Sequence, residues 1–370
     1  MKRYSKLWLS WQALNLVLLL LLARKLYLGF ETMHYARSCK EELSIKSFTE
    51  DSNFVEMVKS VNVSKHDSPA FMFLNKYAVN ITLNWFCNTE SMEGVHERMV
   101  LVTLDEEARD TIGLFWPNVR QFYRPTQCLK IHFSFGESAY QTFFALRSNF
   151  AAALAQLGQG FWMLQQDTVW RDNLFQVAWE RADQYDLIFD QLGYESSARA
   201  KWINGANFHV RPSVQVSEFF ANIGQTLVDW YVPDVAVMIN QCAANKVKCG
   251  YFPYHLVSCW EWLYYGDKSR PPYLMQMDAE SSQGGKLNNM RKLGFYFLNH
   301  RARTCNRTAV DLARRNLRAG SVPITHKRSL SRAQFTFYWV FAEIILRVPV
   351  VGELIRPYLP LLCYYLLITL

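Results

Sequence analysis

The sequence predicts an α/β chain in which helices flank a mainly parallel, doubly wound sheet, preceded by a membrane anchor. Three observations lead there. Short apolar runs at 70–74, 99–103, 119–123, 161–164, 185–191 and 203–211 alternate with segments of helical period, the order expected of parallel strands joined by crossover helices. The connections between them are short, and half of the 370 residues are apolar, enough to bury a substantial core. Finally, residues 7–23, LWLSWQALNLVLLLLLA, form an uncharged run between Lys6 and Arg24.

At about 1.5 Å per residue that run reaches roughly 25 Å, enough for a thin bilayer. It ends in Leu-Ala-Arg-Lys without a small-x-small cleavage site, so an uncleaved anchor is expected rather than a removed signal. Bases flank both of its ends, and charge bias leaves orientation open. Residues 26–67 are polar and mixed without a sustained period and read as a stem. Sequons at Asn62, Asn80 and Asn306 and an even count of eight cysteines favour a lumenal, oxidising compartment. Cys242 and Cys249 are close enough to bridge locally, whereas the pairing of Cys87, Cys128, Cys259 and Cys305 is not deducible. No Cys-x-x-Cys spacing occurs, and no structural zinc is expected.

The folded part begins with the strand at 70–74, closed by Asn75, and a helix over 77–87. The strand at 99–103 is followed by Asp105, Glu106 and Glu107, acids suited to a helix's first turn. A long helix over 138–157 carries a broad apolar face and stops at Gly158 and Gly160. Then comes FWMLQQDTVWRDNLF (161–175), an apolar run that breaks into Gln165, Gln166 and Asp167. A buried strand ending in acceptor groups delivers side chains to the carboxyl edge of a sheet, where such folds bind ligands; a turn or helix cap is the structural alternative for Asp167. Helices follow over 214–231 and 234–244, then an aromatic-rich stretch over 251–277, and Gly284, Gly285 and Lys286 open a last helical stretch.

The net charge of +8 is concentrated between His300 and Arg332, where nine bases face only Asp311. Such a block suits anionic lipid or another acidic partner, or a solvated helix face. Two apolar runs, 335–346 and 358–370, are each too short to span. They read as a tail lying on the membrane face, with burial against the domain as the alternative.

The order of MVLVTLDEEA (99–108), the helix bearing Arg147, FWMLQQDTVW (161–170), YDLIFDQ (185–191), INGANFHVRPS (203–213) and PDVAVMINQ (233–241) resembles the nucleotide-diphospho-sugar transferase domain of type II Golgi glycosyltransferases. The likeness covers roughly residues 68 to 298. It implies a GT-A-like, Rossmann-type sheet with a nucleotide sugar at its carboxyl edge and a Golgi enzyme acting on a glycan or glycoprotein acceptor. The implied organisation is 1–25 cytosolic tail and anchor, 26–67 stem, 68–298 transferase domain and 299–370 basic and hydrophobic tail, with no nucleic-acid partner.

The resemblance also implies a Mn²⁺ or Mg²⁺ ion between carboxylates and diphosphate, where a hard cation stabilises the departing charge. Family members hold it with Asp-x-Asp; here Gln165 replaces the first acid and Asp167 keeps the second. Asp278 (or Glu280) stands where a further ligand is expected, and Lys286 where a basic residue meets the phosphates. Asn204 matches the Asn of an Asn-x-Gly-Phe strand beside the donor sugar, with Ala206 in place of Gly, and Asp234 matches the acid of an Asp-Gln pair. Arg147 is expected to reach phosphate or pair with Asp167, and Asn75 to contact base or ribose. Retention of anomeric configuration is implied too, although the sequence shows no nucleophile. The rival expectation is an inactive scaffold on the same fold, its metal motif decayed.

Overall fold

The computed structural model describes residues 2–61, 68–177, 184–193, 202–244, 246–277, 285–299, 303–322 and parts of 340–355. Its centre is a seven-stranded sheet built from β1 (Ala70–Leu74), β2 (Met99–Thr103), β3 (Arg120–Tyr123), β4 (Phe161–Met163), β6 (Leu187–Gln191), β7 (Ile203–Val210) and β8 (Cys249–Tyr251). The order is β3-β2-β1-β4-β7-β6-β8. All neighbours are parallel except β7, which runs antiparallel to both β4 and β6. β1, β2 and β4 are buried along their whole length, which is why they read as continuous apolar runs rather than alternating ones. A smaller sheet, ordered β5-β10-β9, joins β5 (Thr168–Trp170), β9 (Val257–Cys259) and β10 (Leu274–Gln276).

One face of the large sheet carries α8 (Ser138–Gln156) and α9 (Val214–Asp229), with α10 (Asp234–Ala243) beside them. α8 stops at Gly158, whose φ of +76° suits glycine. The amides of Gly158 and Gln159 turn back to Ala155 O and Leu154 O, satisfying the last carbonyls. α8 and α9 pack so closely that a Cβ at Gly224 would meet Asn149 Oδ1 at 2.1 Å. The opposite face carries α5 (Val79–Thr89), α7 (Glu106–Phe115), the small sheet and α12 (Gly285–Lys292).

The segment expected to be a detached stem is instead part of this core. α1 (Lys2–Ser38) is one continuous helix, and α2 (Lys40–Leu43), α3 (Ile45–Thr49) and α4 (Ser52–Val61) follow without a linker. The reason lies in a few isolated residues too sparse to show a period. Ser44 caps α3 through Ser47 N, and Phe48 and Phe54 bury completely. Both rings pack on Phe150 of α8, at centroid distances of 5.5 and 5.3 Å, where Phe71 and Phe73 also meet it. Asn149 Nδ2 donates to Leu43 O, and Cys39 is bonded to Cys128. Within α1, Trp11–Ser38 is the one helix among the described residues long and apolar enough to cross a membrane.

The basic block is also folded in. α13 (Arg307–Arg318) buries Val310, Ala313 and Leu317, and Asn306 caps it through Ala309 N. Arg307 forms a two-pronged pair with Glu90, Arg314 donates to Ser91 Oγ and Asn88 O, and Arg318 pairs with Asp172 at 2.6 Å. Two of these arginines thus meet acids of this chain, and the packed body extends past residue 298. Cys87–Cys305 fastens the same helix to α5, and Cys242–Cys249 closes the local bridge expected from spacing. The sequon at 62–64 and most of the two terminal apolar runs lie outside the described residues.

Replacing Cys39 and Cys128 together by Ser opens an 89-residue separation. Chemical unfolding should lose about 2–5 kcal/mol, with α1–α4 the first part to become protease-sensitive. An unchanged midpoint would mean that Phe48 and Phe54 alone hold the segment down.

Candidate functional site

The site forms where β6 and β7 part. Their ladder pairs Phe189 with Phe208 and resumes at Gln191 with Ile203, so Asp190 alone faces residues 204–207. A bulge releases backbone groups from the ladder and re-aims side chains. Gly205 makes the turn at φ +70°, and a Cβ there would lie 2.8 Å from Val235 Cγ1 in the first turn of α10. Glycine is needed on both counts.

Every released group that the contacts account for goes to a buried charge. The carbonyls of Gly205 and Ala206 accept from Arg147 Nη1 and Nη2, each at 2.7 Å. The Asn207 amide donates to Asp190 Oδ2 at 3.0 Å, and Asn207 Nδ2 and Asn204 Nδ2 reach the same oxygen at 3.1 and 3.3 Å. Amides then link three strands. Asn207 Nδ2 donates to Gln276 Oε1, Gln276 Nε2 to Gln165 Oε1, and Gln165 N to Asn207 Oδ1. Two residues beyond Gln165, Asp167 is buried with its Oδ2 2.5 Å from Lys286 Nζ, and Met277 N donates to its backbone oxygen.

Two carboxylate oxygens in this cluster, Asp190 Oδ1 and Asp234 Oδ2, are buried without a hydrogen-bond partner among the described residues. Leaving such an atom unpaired is costly and marks a place where a ligand hydroxyl is welcome. Burial raises both acids from their ordinary 3.8 to about 6; the hydrogen bonds from Asn207 and the charge of Arg147 pull Asp190 down, and Arg147 with the amides of α10's first turn pulls Asp234 down. Burial likewise lowers the Arg147 pKa, and the two acids oppose that. Asp234 also lines a cleft with Phe135, Tyr140, Tyr231 and Pro233, which opens beside the end of α8.

Gln165, Asp167, Asn204, Asp234 and Lys286 thus gather at one edge of the sheet. Arg147 does not reach a phosphate position: buried beside Phe208, its guanidinium is held by the bulge carbonyls. Asn75 is likewise occupied, donating to Leu129 O and Ile131 O and accepting from Tyr77 N. That leaves no donor for a base or ribose. Asp278 and Glu280 lie outside the described residues. Asp190, Asn207 and Gln276 were missed, although an acid inside the apolar run LIFDQ and an amide inside a buried strand were visible signals.

The described residues do not fit a divalent cation held as in Asp-x-Asp. Among them no three His, Cys, Asp or Glu side chains gather to hold a metal. Gln165 Oε1 is neutral and already accepts from Gln276, and Asp167 is paired with an ammonium. A hard cation asks for several oxygen ligands, most of them anionic.

A family model described as nucleotide-diphospho-sugar transferase matches residues 94–290. Among solved structures, the chain is similar to the galactosyltransferase LgtC in complex with donor and acceptor sugar analogs, at 10% identity over 72% of this chain and 99% of that one, with a TM-score of 0.40. It is similar to mouse xyloside xylosyltransferase 1 at 11% identity, covering 58% of this chain and 98% of that one, TM-score 0.38. The WbbM bifunctional glycosyltransferase is matched at 10% identity over 59% of this chain, TM-score 0.39, and the chain spans 47% of its length. No curated protein matches the sequence.

Each of the two acids has a higher pKa folded than unfolded, so the folded state holds more protons between about pH 4 and 6. Their contribution to stability is full below the unfolded value and is lost as pH rises through about 6. Asp190→Asn should therefore gain roughly 1–3 kcal/mol at pH 7 relative to pH 4, measured by denaturant unfolding at both pH values. An unchanged pH slope would mean that Asp190 ionises normally.

Proposed function

Because the chain belongs to the nucleotide-diphospho-sugar transferase family, we propose that it is a glycosyltransferase moving a sugar from a nucleotide-diphosphate donor to a hydroxyl of a glycan or glycoprotein in the secretory pathway. The observation that carries this is the pair of unpartnered, buried carboxylate oxygens on Asp190 and Asp234 beside Asn204 and the Asp167–Lys286 pair. A polyhydroxylated sugar supplies the hydrogen bonds those oxygens lack.

In this reading Asn204 and Asp234 face the donor sugar, and Asp167 and Lys286 face the diphosphate. As the bond from the anomeric carbon to diphosphate breaks, positive charge grows on the sugar and negative charge on the leaving oxygen. Ionised Asp234 stabilises the first, its charge offset by the nearby Arg147 guanidinium rather than by solvent. A type II Golgi placement is supported by the apolar helix Trp11–Ser38 and by three disulfides, which an oxidising lumen maintains.

The neutral Gln165 favours the alternative of an inactive scaffold, and the two readings separate in one assay. Purified full-length chain is incubated with a panel of nucleotide sugars and release of nucleoside diphosphate is followed. Turnover is expected to rise with pH through about 6, as Asp234 ionises, and to fall about 100-fold or more in Asp234→Asn. Inertness toward every donor would support the scaffold.

A further inference from the structure

We propose that Asn306 carries an N-linked oligosaccharide, joined through Nδ2 while Oδ1 goes on capping α13. The proposal rests on the secretory-pathway placement given above and concerns a part of the molecule away from the transfer site.

The fold treats the sequons differently. Asn80 stands in the first turn of α5, and the hydroxyl of its Thr82 is buried and donates to Ala78 O. The sequon at 306–308 lies open instead. Asn306 is half-buried, Arg307 and Thr308 are exposed, and neither the Thr308 hydroxyl nor Asn306 Nδ2 has a hydrogen-bond partner among the described residues. Those are the two groups a sequon must offer, a hydroxyl to be recognised and an amide nitrogen to be bonded.

The two ends of the Asn306 amide do different work. Its Oδ1 accepts from Ala309 N at 3.1 Å and so satisfies one of the open amides at the start of α13. That oxygen keeps its acceptor lone pairs when the nitrogen of the same group is glycosylated. Cap and glycan therefore do not compete. Elsewhere in the fold they would: Asn75, Asn84 and Asn88 each donate Nδ2 to a backbone carbonyl, of Leu129, Phe295 and Trp170.

The co-reactant is an oligosaccharide linked to a lipid through diphosphate, delivered by a separate transferase of the compartment. The bond from the anomeric carbon to the diphosphate breaks, and its electron pair leaves on the phosphate oxygen. Nδ2 forms the new bond to that carbon, gives up one proton to a base of that transferase and keeps the other.

Topology sets the glycan apart from the site. α5 carries the chain from the carboxyl end of β1 back towards the amino end of β2, and Glu90 follows its last turn. Arg307 pairs with Glu90 and Cys305 is bonded to Cys87, so Asn306 sits towards the amino end of the sheet. The Gln165–Asp167 turn follows the carboxyl end of β4, which is parallel to β1. A bulky, hydrated oligosaccharide on Asn306 leaves that edge clear.

The test is peptide mass mapping of the full-length chain made in eukaryotic cells, its N-glycans removed by an amidase in heavy-oxygen water so that each occupied Asn becomes a marked Asp. The expected result is a mark at Asn306 in most molecules. By electrophoretic mobility, Thr308→Ala and Asn306→Asp should each lose one glycan, and Thr308→Ser should keep it. Asn306→Asp retains a capping oxygen, and thermal unfolding checks that each variant is folded. An unmarked Asn306 beside a marked Asn62 or Asn80 overturns the proposal and leaves the secretory placement intact. Three unmarked sequons overturn the placement, and this proposal with it.

Discussion

The constraint on which the rest depends is one buried guanidinium beneath an interrupted strand pair. Where β6 and β7 separate around Asp190, the backbone of 204–207 leaves the ladder, and unpaired backbone groups inside a protein are not tolerated. Arg147 takes the two carbonyls and Asp190 takes the amide of Asn207. A buried cation needs anions near it, and Asp190 and Asp234 are the two whose charge acts on it most strongly. The bulge, the charge below it and the acids around it therefore require one another.

That mutual requirement organises the molecule outward. α8 must run beneath β7 to deliver Arg147, and three residues later the same helix presents Phe150 as the hub against which Phe48, Phe54, Phe71 and Phe73 pack. The segment that follows the apolar helix is thereby joined to the body through rings on the helix that also builds the site. On the other face, the clasp of α13 onto α5 and Asp172 borders the loop that follows β5. The small sheet sets Gln276 and Met277 against the Gln165–Asp167 turn. Both faces converge on one edge, and there the chain accepts two unsatisfied carboxylate oxygens. Seven other buried polar atoms among the described residues also lack a partner, but only these two belong to carboxylates.

The six strands of the large sheet up to β7 were legible because buried strands are apolar throughout, and α5, α8, α9 and α10 because their periods or end signals are strong. β8, only Cys249–Tyr251, has no such signal and was not expected, and the antiparallel direction of β7 within a mainly parallel sheet was not legible because side-chain pattern does not encode strand direction. The stem was misread because Phe48 and Phe54 are isolated in a polar stretch, and their value lies in reaching Phe150 about a hundred residues away. The packing of α13 was not legible because spacing does not reveal that Glu90 and Asp172 lie opposite Arg307 and Arg318. At the site, Asp167 stood out as an acid after a buried strand, whereas Asn204, Asp234 and Lys286 were pointed to only by the family resemblance. Arg147 and Asn75 were given the wrong partners, because a polar side chain's neighbours depend on where carbonyls leave their ladders. Asp190 is an acid inside an apolar strand, and the bulge that gives it meaning appears only when register is known.

The most direct measurement is a crystal structure of the chain with an intact nucleotide sugar bound. The account predicts the sugar seated over the bulge, its hydroxyls within about 3 Å of Asp234 Oδ2 and Asn204, with the diphosphate toward Lys286. A donor bound away from the β6–β7 bulge, with Asp190 and Asp234 still buried and untouched, would contradict it.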